Sequence, residues 1–522
     1  MKKIYSFAKS LTMKTLILVV FLLSVLTSQA QPNIEWKKCF GGTNDEKAYS
    51  VQQTTDGGYI VAGYSRSSDC NVSLNKGMSD YWIVKLSSSG NIEWQKTYGG
   101  SSEEEALCVK QTMDGGYVVV GFTCSNNGDV ISTQGGSDYW ILKLDASGNI
   151  LWQKTYGGVE NDRAYSVEQT TDGGYIVAGI SYSSYGDVMG NYGMSDCWIL
   201  KLDASGNILW QKILGGTNID AAFFIKKATD GGYLVGCSSF SNDVYLLENQ
   251  GYFDYWIVKL DSSGNIEWDR SLGGPDVEEI ESIDQTTDGG YIIGGFSSST
   301  SGEVIGNHGL FDYWIVKLDS NIDIEWQKCL GGTENDMAYS IQQTVDDGYI
   351  VVGHSSSSDG DLLFNHGLSD DWIVKLSSNG DIEWQKILGG TYTEEAYSAE
   401  QTTDGGYIIA GGSSSNDGDV AGNYGFFDFW IIKLSPIMSV EEKNKPAENV
   451  VVYPTIFDNQ IKVVSENKNI EVSLFNCIGN LIQETTGFNS ITINTTDLPS
   501  GLYFTKTTLS DGYVKVHKIV KK

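Results

Sequence analysis

Three acidic positions recur in this chain at intervals of 58 residues, seven times each. Hard divalent cations want several oxygen ligands, so the phase of these carboxylates decides what they can hold. The first series, Glu46, Glu104, Asp162, Asp220, Glu278, Asp336 and Glu394, comes just before a stretch of the type A-Y-S-V-Q-Q-T. If that stretch is the inner strand of a ring, the seven carboxylates circle a channel mouth, with calcium as the candidate ion. The competing role is a cap on each residue's own loop. The second series, Asp80, Asp138, Asp196, Asp254, Asp312, Asp370 and Asp428, stands two residues before a tryptophan. In three repeats it completes D-x-x-x-N-x-G-x-x-D, as Asp187/Asn191/Asp196, Asp361/Asn365/Asp370 and Asp419/Asn423/Asp428. That oxygen-rich spacing is a second calcium candidate, although Asn71 and Tyr245 stand at the first place in other repeats, and a side-chain-stabilised loop accounts for it equally. The third series, Asp56 and its six counterparts, precedes Gly-Gly and reads as a turn residue bonding its own backbone.

Other chemistry is thinly represented. The four histidines, His308, His354, His366 and His517, are scattered, and His308 and His366 share a loop position with Tyr192 and Tyr424, which suits a rim role. Only Cys39 and Cys329 of the eight cysteines share a repeat position, so there is no disulfide framework; Cys70 and Cys124, in equivalent loops, are the one pair open to bridging. No zinc spacing, Ser/His/Asp constellation or phosphate-binding glycine loop stands out. Channel-mouth positions read as nearly identical in every unit, a pattern that favours repeated weak binding over catalysis.

The elements behind these positions follow from the tryptophans. All fourteen fall on the 58-residue grid, in two series beginning at Trp36 and Trp82. Seven copies of one unit indicate a repeat architecture. Each unit reads as four strands: a (Ala48 to Thr54), b (Tyr59 to Tyr64), c (Tyr81 to Leu86) and d (Asn91 to Lys96), rich in aromatic and β-branched residues between Gly/Asp/Ser clusters. Four strands repeated seven times predict an all-β, seven-bladed β-propeller. The repeats open on a lone strand d (Asn33 to Lys38) and finish on a, b and c, so the N-terminal strand is expected to complete blade seven and leave no open edge. A hairpin centred on Ser88 would set Trp82 opposite Trp94. The a–b and c–d connections are short, whereas b–c and d–a are long, which gathers the variable loops on one face, where binding residues tend to sit.

The ends have their own patterns. Residues 1–30 carry Lys2, Lys3, Lys9 and Lys14, then an apolar run and Ser28-Gln29-Ala30, the form of a secretory signal peptide. No other segment approaches the length of a transmembrane span. The repeats occupy 31–435, and a polar linker, 436–449, leads to 450–522. This last segment contains V-V-V-Y-P with Tyr453 and Pro454, V-S-L-F-N-C-I-G-N-L-I with Gly479, D-L-P-S-G-L-Y with Leu498, Pro499, Gly501 and Tyr503, and a basic end with Lys518. It resembles the type A C-terminal sorting domain of the type IX secretion system of Bacteroidetes, departing at Thr455-Ile456, where Asn-Pro is common. The resemblance implies a small β-sandwich read by the outer-membrane secretion machinery, and a secreted or outer-surface location. The repeats likewise resemble secreted β-propeller repeat proteins that carry such tails.

Formal net charge is −31, or −35 once the four leader lysines are removed. Nucleic acid and anionic membranes, which want basic patches, are therefore poor partners. The expected role is non-enzymatic binding or scaffolding of a glycan or other extracellular molecule on the long-loop face, with no required cofactor. The alternatives are a polysaccharide hydrolase or lyase and a purely structural surface module.

Overall fold

The computed structural model describes residues 31–522 except 245–248, 363, 438–449, 477–479 and 510–513. The expected signal peptide, most of the 436–449 linker, Tyr245 and Gly479 lie outside the described residues. Contacts divide the chain into two compact units, with the division in sequence after Ile437.

The first unit is a seven-bladed β-propeller. Blade one takes strands a Glu46–Gln53, b Tyr59–Ser65, c Asp80–Leu86 and d Ile92–Tyr98, all antiparallel neighbours. Strands b and c are buried along their whole length, as their near-continuous apolar sequences require, whereas d, with its polar Glu, Gln and Lys, is only part-buried at the outer edge. The seven a strands touch one another in a closed ring and are therefore innermost. Blade seven joins Glu394–Gln401, Tyr407–Ser413 and Asp428–Leu434 to Ile34–Phe40 from the other end of the repeats. Cys39 pairs Trp430, Phe40 pairs Phe429, and Ser435 N–H donates to Asn33 O at 2.8 Å, so the ring closes as expected.

The cores lie between blades. Trp82 and Val84 of blade one pack with Ile408, Ala410, Phe429 and Ile431 of blade seven, and equivalent clusters fill the other junctions. Burying one tryptophan removes about 200 Å² from water, worth about 5 kcal/mol of transfer free energy before chain entropy is charged.

The expected Trp82–Trp94 pair does not form. The c–d turn is centred one residue later than Ser88, with Leu86 facing Ile92, and a bulge adds one further step, so Trp94 faces Lys85 and Trp82 faces Thr97. The outer tryptophan packs across the junction instead: Trp36 lies 5.7 Å from Tyr59 and donates its indole N–H to Ser88 O at 3.1 Å. The four-residue turn also brings Gly90, at φ +74°, against the Trp36 ring, where a Cβ would collide.

The second unit contains Val451–Tyr453, Ile456–Phe457, Gln460–Asn476, Leu481–Asn494, Gly501–Leu509 and Val514–Lys521, hydrogen-bonded into one six-stranded set. The long strand Gln460–Asn476 pairs with three others, and Val463, Val472, Leu474, Ile493, Tyr503 and Ile519 form its core.

Candidate functional sites: blade junctions, long-loop face and channel

The first acidic series turns away from the channel. Strand a is innermost, but its side chains alternate, so Lys47 and Tyr49 face inward while Glu46 points into the junction, fully buried. Each member accepts the N–H of the glycine four residues before it, at 2.6–2.8 Å: Gly42 for Glu46, Gly100 for Glu104, Gly158 for Asp162, Gly216 for Asp220, Gly274 for Glu278, Gly332 for Asp336 and Gly390 for Glu394. Hydroxyls from the end of strand b supply more donors, such as Ser65 Oγ to Glu46 at 2.7 Å and Thr123 Oγ1 to Glu104 at 2.8 Å.

The second series meets the first across each junction. Asp428 of blade seven and Glu46 of blade one converge on Gly41, where a Cβ would strike both carboxylates, and the six equivalent glycines repeat the arrangement. One oxygen of each aspartate accepts a loop N–H at 2.6–2.9 Å, from Lys76 to Asp80 through to Tyr424 to Asp428. The other oxygen, Oδ1, is buried without a partner in all seven. Burial, and then the neighbouring carboxylate, push Asp80 and Asp138 up to about 6 and Asp196, Asp254 and Asp428 up to about 7. Burial also raises Glu46, Asp162, Asp220, Glu278, Asp336 and Glu394. Each junction is thus a closed carboxyl pair suited to retaining a proton.

The Asp/Asn/Asp loops do not gather their oxygens. Asn191 Nδ2 donates to Ser181 O at 3.1 Å while its Oδ1 accepts Gly193 N–H at 2.8 Å, and Asn365 and Asn423 repeat this. Asp187 accepts from Gln134 at 2.6 Å, Asp361 from Gly331 N–H at 3.1 Å and Asp419 from Lys37 at 3.4 Å. Among the described residues no three acidic, histidine or cysteine side chains converge as metal ligands. The seven described cysteines are free, Cys70 and Cys124 included.

The turn aspartates bond their own turns, as Asp56 does to Gly58 N–H at 2.9 Å. Each also meets a buried lysine of strand c, the pairs from Lys85–Asp56 to Lys433–Asp404 spanning 2.8–3.2 Å. This lysine went unread in the sequence, although one cation at a fixed phase of seven otherwise apolar strands was a signal for it.

The long b–c and d–a loops do lie on one face, where strand a begins. At one phase of the b–c loop Met78, Met194, Tyr252, Leu310, Leu368 and Phe426 are each between 53% and 69% exposed, with Gly136 at the seventh place. Ile131, Met189, Ile305, Tyr185 and Tyr424 add to this apolar ring, beside the loop amides and carboxylates.

The channel encloses a cavity of about 440 Å³ lined by the a strands. Its mouth is not uniform, contrary to the sequence reading: Lys47, Glu105, Arg163, Ala221, Glu279, Met337 and Glu395 occupy one phase. The buried positions of strand a are alike because packing fixes them, whereas the alternate positions that face the channel differ from blade to blade.

Comparisons with known proteins bear mainly on the second unit. Residues 451–522 match the secretion system C-terminal sorting domain, and the chain therefore carries a type IX sorting tail that directs it to the cell exterior or outer surface. Val452, Phe457 and Tyr503 pack in the core of that unit. Tyr503 donates its hydroxyl to Pro499 O at 2.8 Å, Tyr453–Pro454 is a cis peptide, and Lys518 pairs with Phe504. The regulatory protein FlaEY of Caulobacter vibrioides is 22% identical over 405 residues, covering 68% of this chain and 41% of that protein, so the chain spans about two-fifths of the relative's length. Among solved structures, Sqt1 from Chaetomium thermophilum is 10% identical at TM-score 0.40, covering 78% of this chain and all of that one. An ancestral GH74 enzyme is 10% identical at TM-score 0.41, covering 94% and 64% respectively. None of these likenesses assigns an activity. Among the described residues no helix is long and apolar enough to cross a membrane.

Proposed function

We propose that the exported protein is a non-enzymatic, multivalent glycan-binding module that works through its long-loop face. The observation that carries this reading is the ring of exposed apolar and aromatic side chains at one phase of six blades. Soluble proteins rarely leave contiguous apolar surface uncovered unless it binds something. Aromatic faces beside Asn, Asp and Ser groups suit sugar rings, which are apolar on one face and hydroxylated at the edge. Six weak sites on one rigid scaffold gain by avidity against a repeating polymer.

The test is binding of the exported protein to an array of polysaccharides, with Tyr252, Tyr424 and Phe426 replaced together by Ser. The triple variant should keep its melting temperature and lose most retention. Equal retention by the variant, or no retention by the wild type, overturns the proposal. The second reading, a polysaccharide hydrolase or lyase, draws on the unlike residues of the channel mouth. Product release from polysaccharide pools that ceases on Arg163→Gln would favour it.

A further inference from the structure

Seven positions at one phase of the inner strands form a belt inside the channel: Tyr49, Leu107, Tyr165, Phe223, Glu281, Tyr339 and Tyr397. Five are aromatic, with ring centroids 5.1 Å apart for Tyr49–Tyr397 and 5.0 Å for Tyr339–Tyr397 and Tyr165–Phe223. Blade five breaks this belt with a carboxylate, Glu281, between Phe223 of blade four and Tyr339 of blade six. Its strand neighbour Glu279 faces the same side.

Charge balance singles these two out. Lys47 pairs with Glu395 at 2.5 Å, Lys110 with Glu168 at 3.4 Å and Lys226 with Asp284 at 2.6 Å. Arg163 attracts Glu105 and lies 4.4 Å from the Phe122 ring. Three of the four inward-facing cations of the channel are thus ion-paired, and the fourth, Arg163, lies over a ring beside Glu105. Glu279 and Glu281 make no hydrogen bond or ion pair with the described residues. An anion would find only Arg163 without an ion pair, with Glu105 beside it and Glu281 lining the same cavity, and a neutral apolar guest would leave Glu281 desolvated and unpaired. Hard metal ions want six or more oxygens, whereas this belt presents mostly ring faces. Ring faces beside a carboxylate attract a soft, weakly hydrated cation.

We propose that the channel binds an organic ammonium ion, its charge on Glu281 and its carbon skeleton against Tyr165, Phe223, Tyr339 and Tyr397. The site is separate from the long-loop face and does not depend on the glycan reading. Burial, and then Glu279, push the Glu281 carboxyl well above the usual range. The titratable groups facing it are Glu279, Tyr165, Tyr255 and Tyr339. The raised carboxyl favours a proton in the absence of a guest, a cation competes with that proton, and binding strengthens as pH rises.

The experiment is calorimetric titration of the full-length protein with n-butylammonium, tetramethylammonium and calcium, in the wild type and in Glu281→Gln and Glu281→Tyr. Butylammonium should bind saturably, with heat that changes with buffer because a proton leaves. Loss of the charge should weaken it by about tenfold or more. The Glu281→Tyr variant, which restores the residue commonest at this phase, should abolish binding without lowering the melting temperature. Tetramethylammonium, weakly hydrated and presenting only methyl groups to the rings, should also bind saturably in the wild type. Absence of saturable ammonium binding in the wild type overturns the proposal, as does unchanged binding in both variants. Calcium displacing butylammonium in a Glu281-dependent way identifies a hard-ion site and also overturns it.

Discussion

Asp371 is the residue most at odds with its surroundings. In the equivalent place Tyr81, Tyr139, Tyr255 and Tyr313 each reach across a junction, donating the hydroxyl to a tryptophan carbonyl of the next blade at 2.9–3.1 Å. Asp371 is too short for that bridge; it is buried with both oxygens unpaired, facing His354 in the neighbouring strand, whose Nδ1 is also unpaired. Burial, and then Glu394, push its carboxyl well above the usual range, which favours the neutral acid. Replacing it with the residue of four other blades, Asp371→Tyr, should supply the bridge to Trp430 and remove an unsatisfied buried group. A gain of about 1–3 kcal/mol is expected, read as a higher midpoint in urea; a lower midpoint would mean the junction had closed around the aspartate.

Individual elements carry their own strain. The c–d turns place glycine at positive φ against the previous blade's outer tryptophan, but blade five has Ile322 there, at φ +63°. A β-branched residue in that region is strained. Ile322→Gly should therefore stabilise the protein by about 1 kcal/mol, raising its melting temperature, while Gly148→Ala should lower it. The N-terminal strand can be probed by deletion. Without residues 31–40, blade seven loses its outer strand and Lys433 its neighbour Glu35 at 3.5 Å. The truncated protein should melt well below the intact one, and equal melting would contradict closure by this strand. Strand count, blade order and this closing strand were legible because tryptophan spacing and alternation are local and repeated. The offset that separates Trp82 from Trp94 was not, since a turn centred one residue later and a one-residue bulge leave no compositional mark. The direction of Glu46 was missed by a single step of strand phase, enough to move seven carboxylates from the channel to the junctions.

At the scale of the molecule, two sets of carboxyls pull stability in opposite directions with pH. The junction aspartates, raised to about 6 or 7, favour the fold while protonated. Their contribution is complete below about pH 4, where unfolded aspartate also gains its proton, and is lost as pH rises through their folded values. Partial burial pushes the turn aspartates up, but threonine hydroxyls, glycine N–H groups and the strand c lysines hold Asp56, Asp114, Asp172 and Asp288 at about 2. They contribute above about pH 4 and lose this as pH falls through 2. Calorimetric melting temperature should accordingly peak near pH 4–5 (about where both sets contribute) and decline towards pH 8. A peak at pH 7–8 would show that the junction pairs are not protonated in the fold.

The seal between Ile34–Phe40 and Asp428–Leu434 also sets an order of events. The strand that finishes the ring is made before any complete blade, and its partner emerges only after six and a half repeats have passed. Contacts so distant in sequence close slowly. Until then, the nascent chain carries an unmated strand at one end and, once blade seven has formed, a bare sheet edge at the other. Within one chain the two ends are tethered, which favours self-closure. Between crowded copies the same fit permits exchange, each chain lending its first strand to the next. Such exchange propagates head to tail and stops only when the last copy returns its strand to the first.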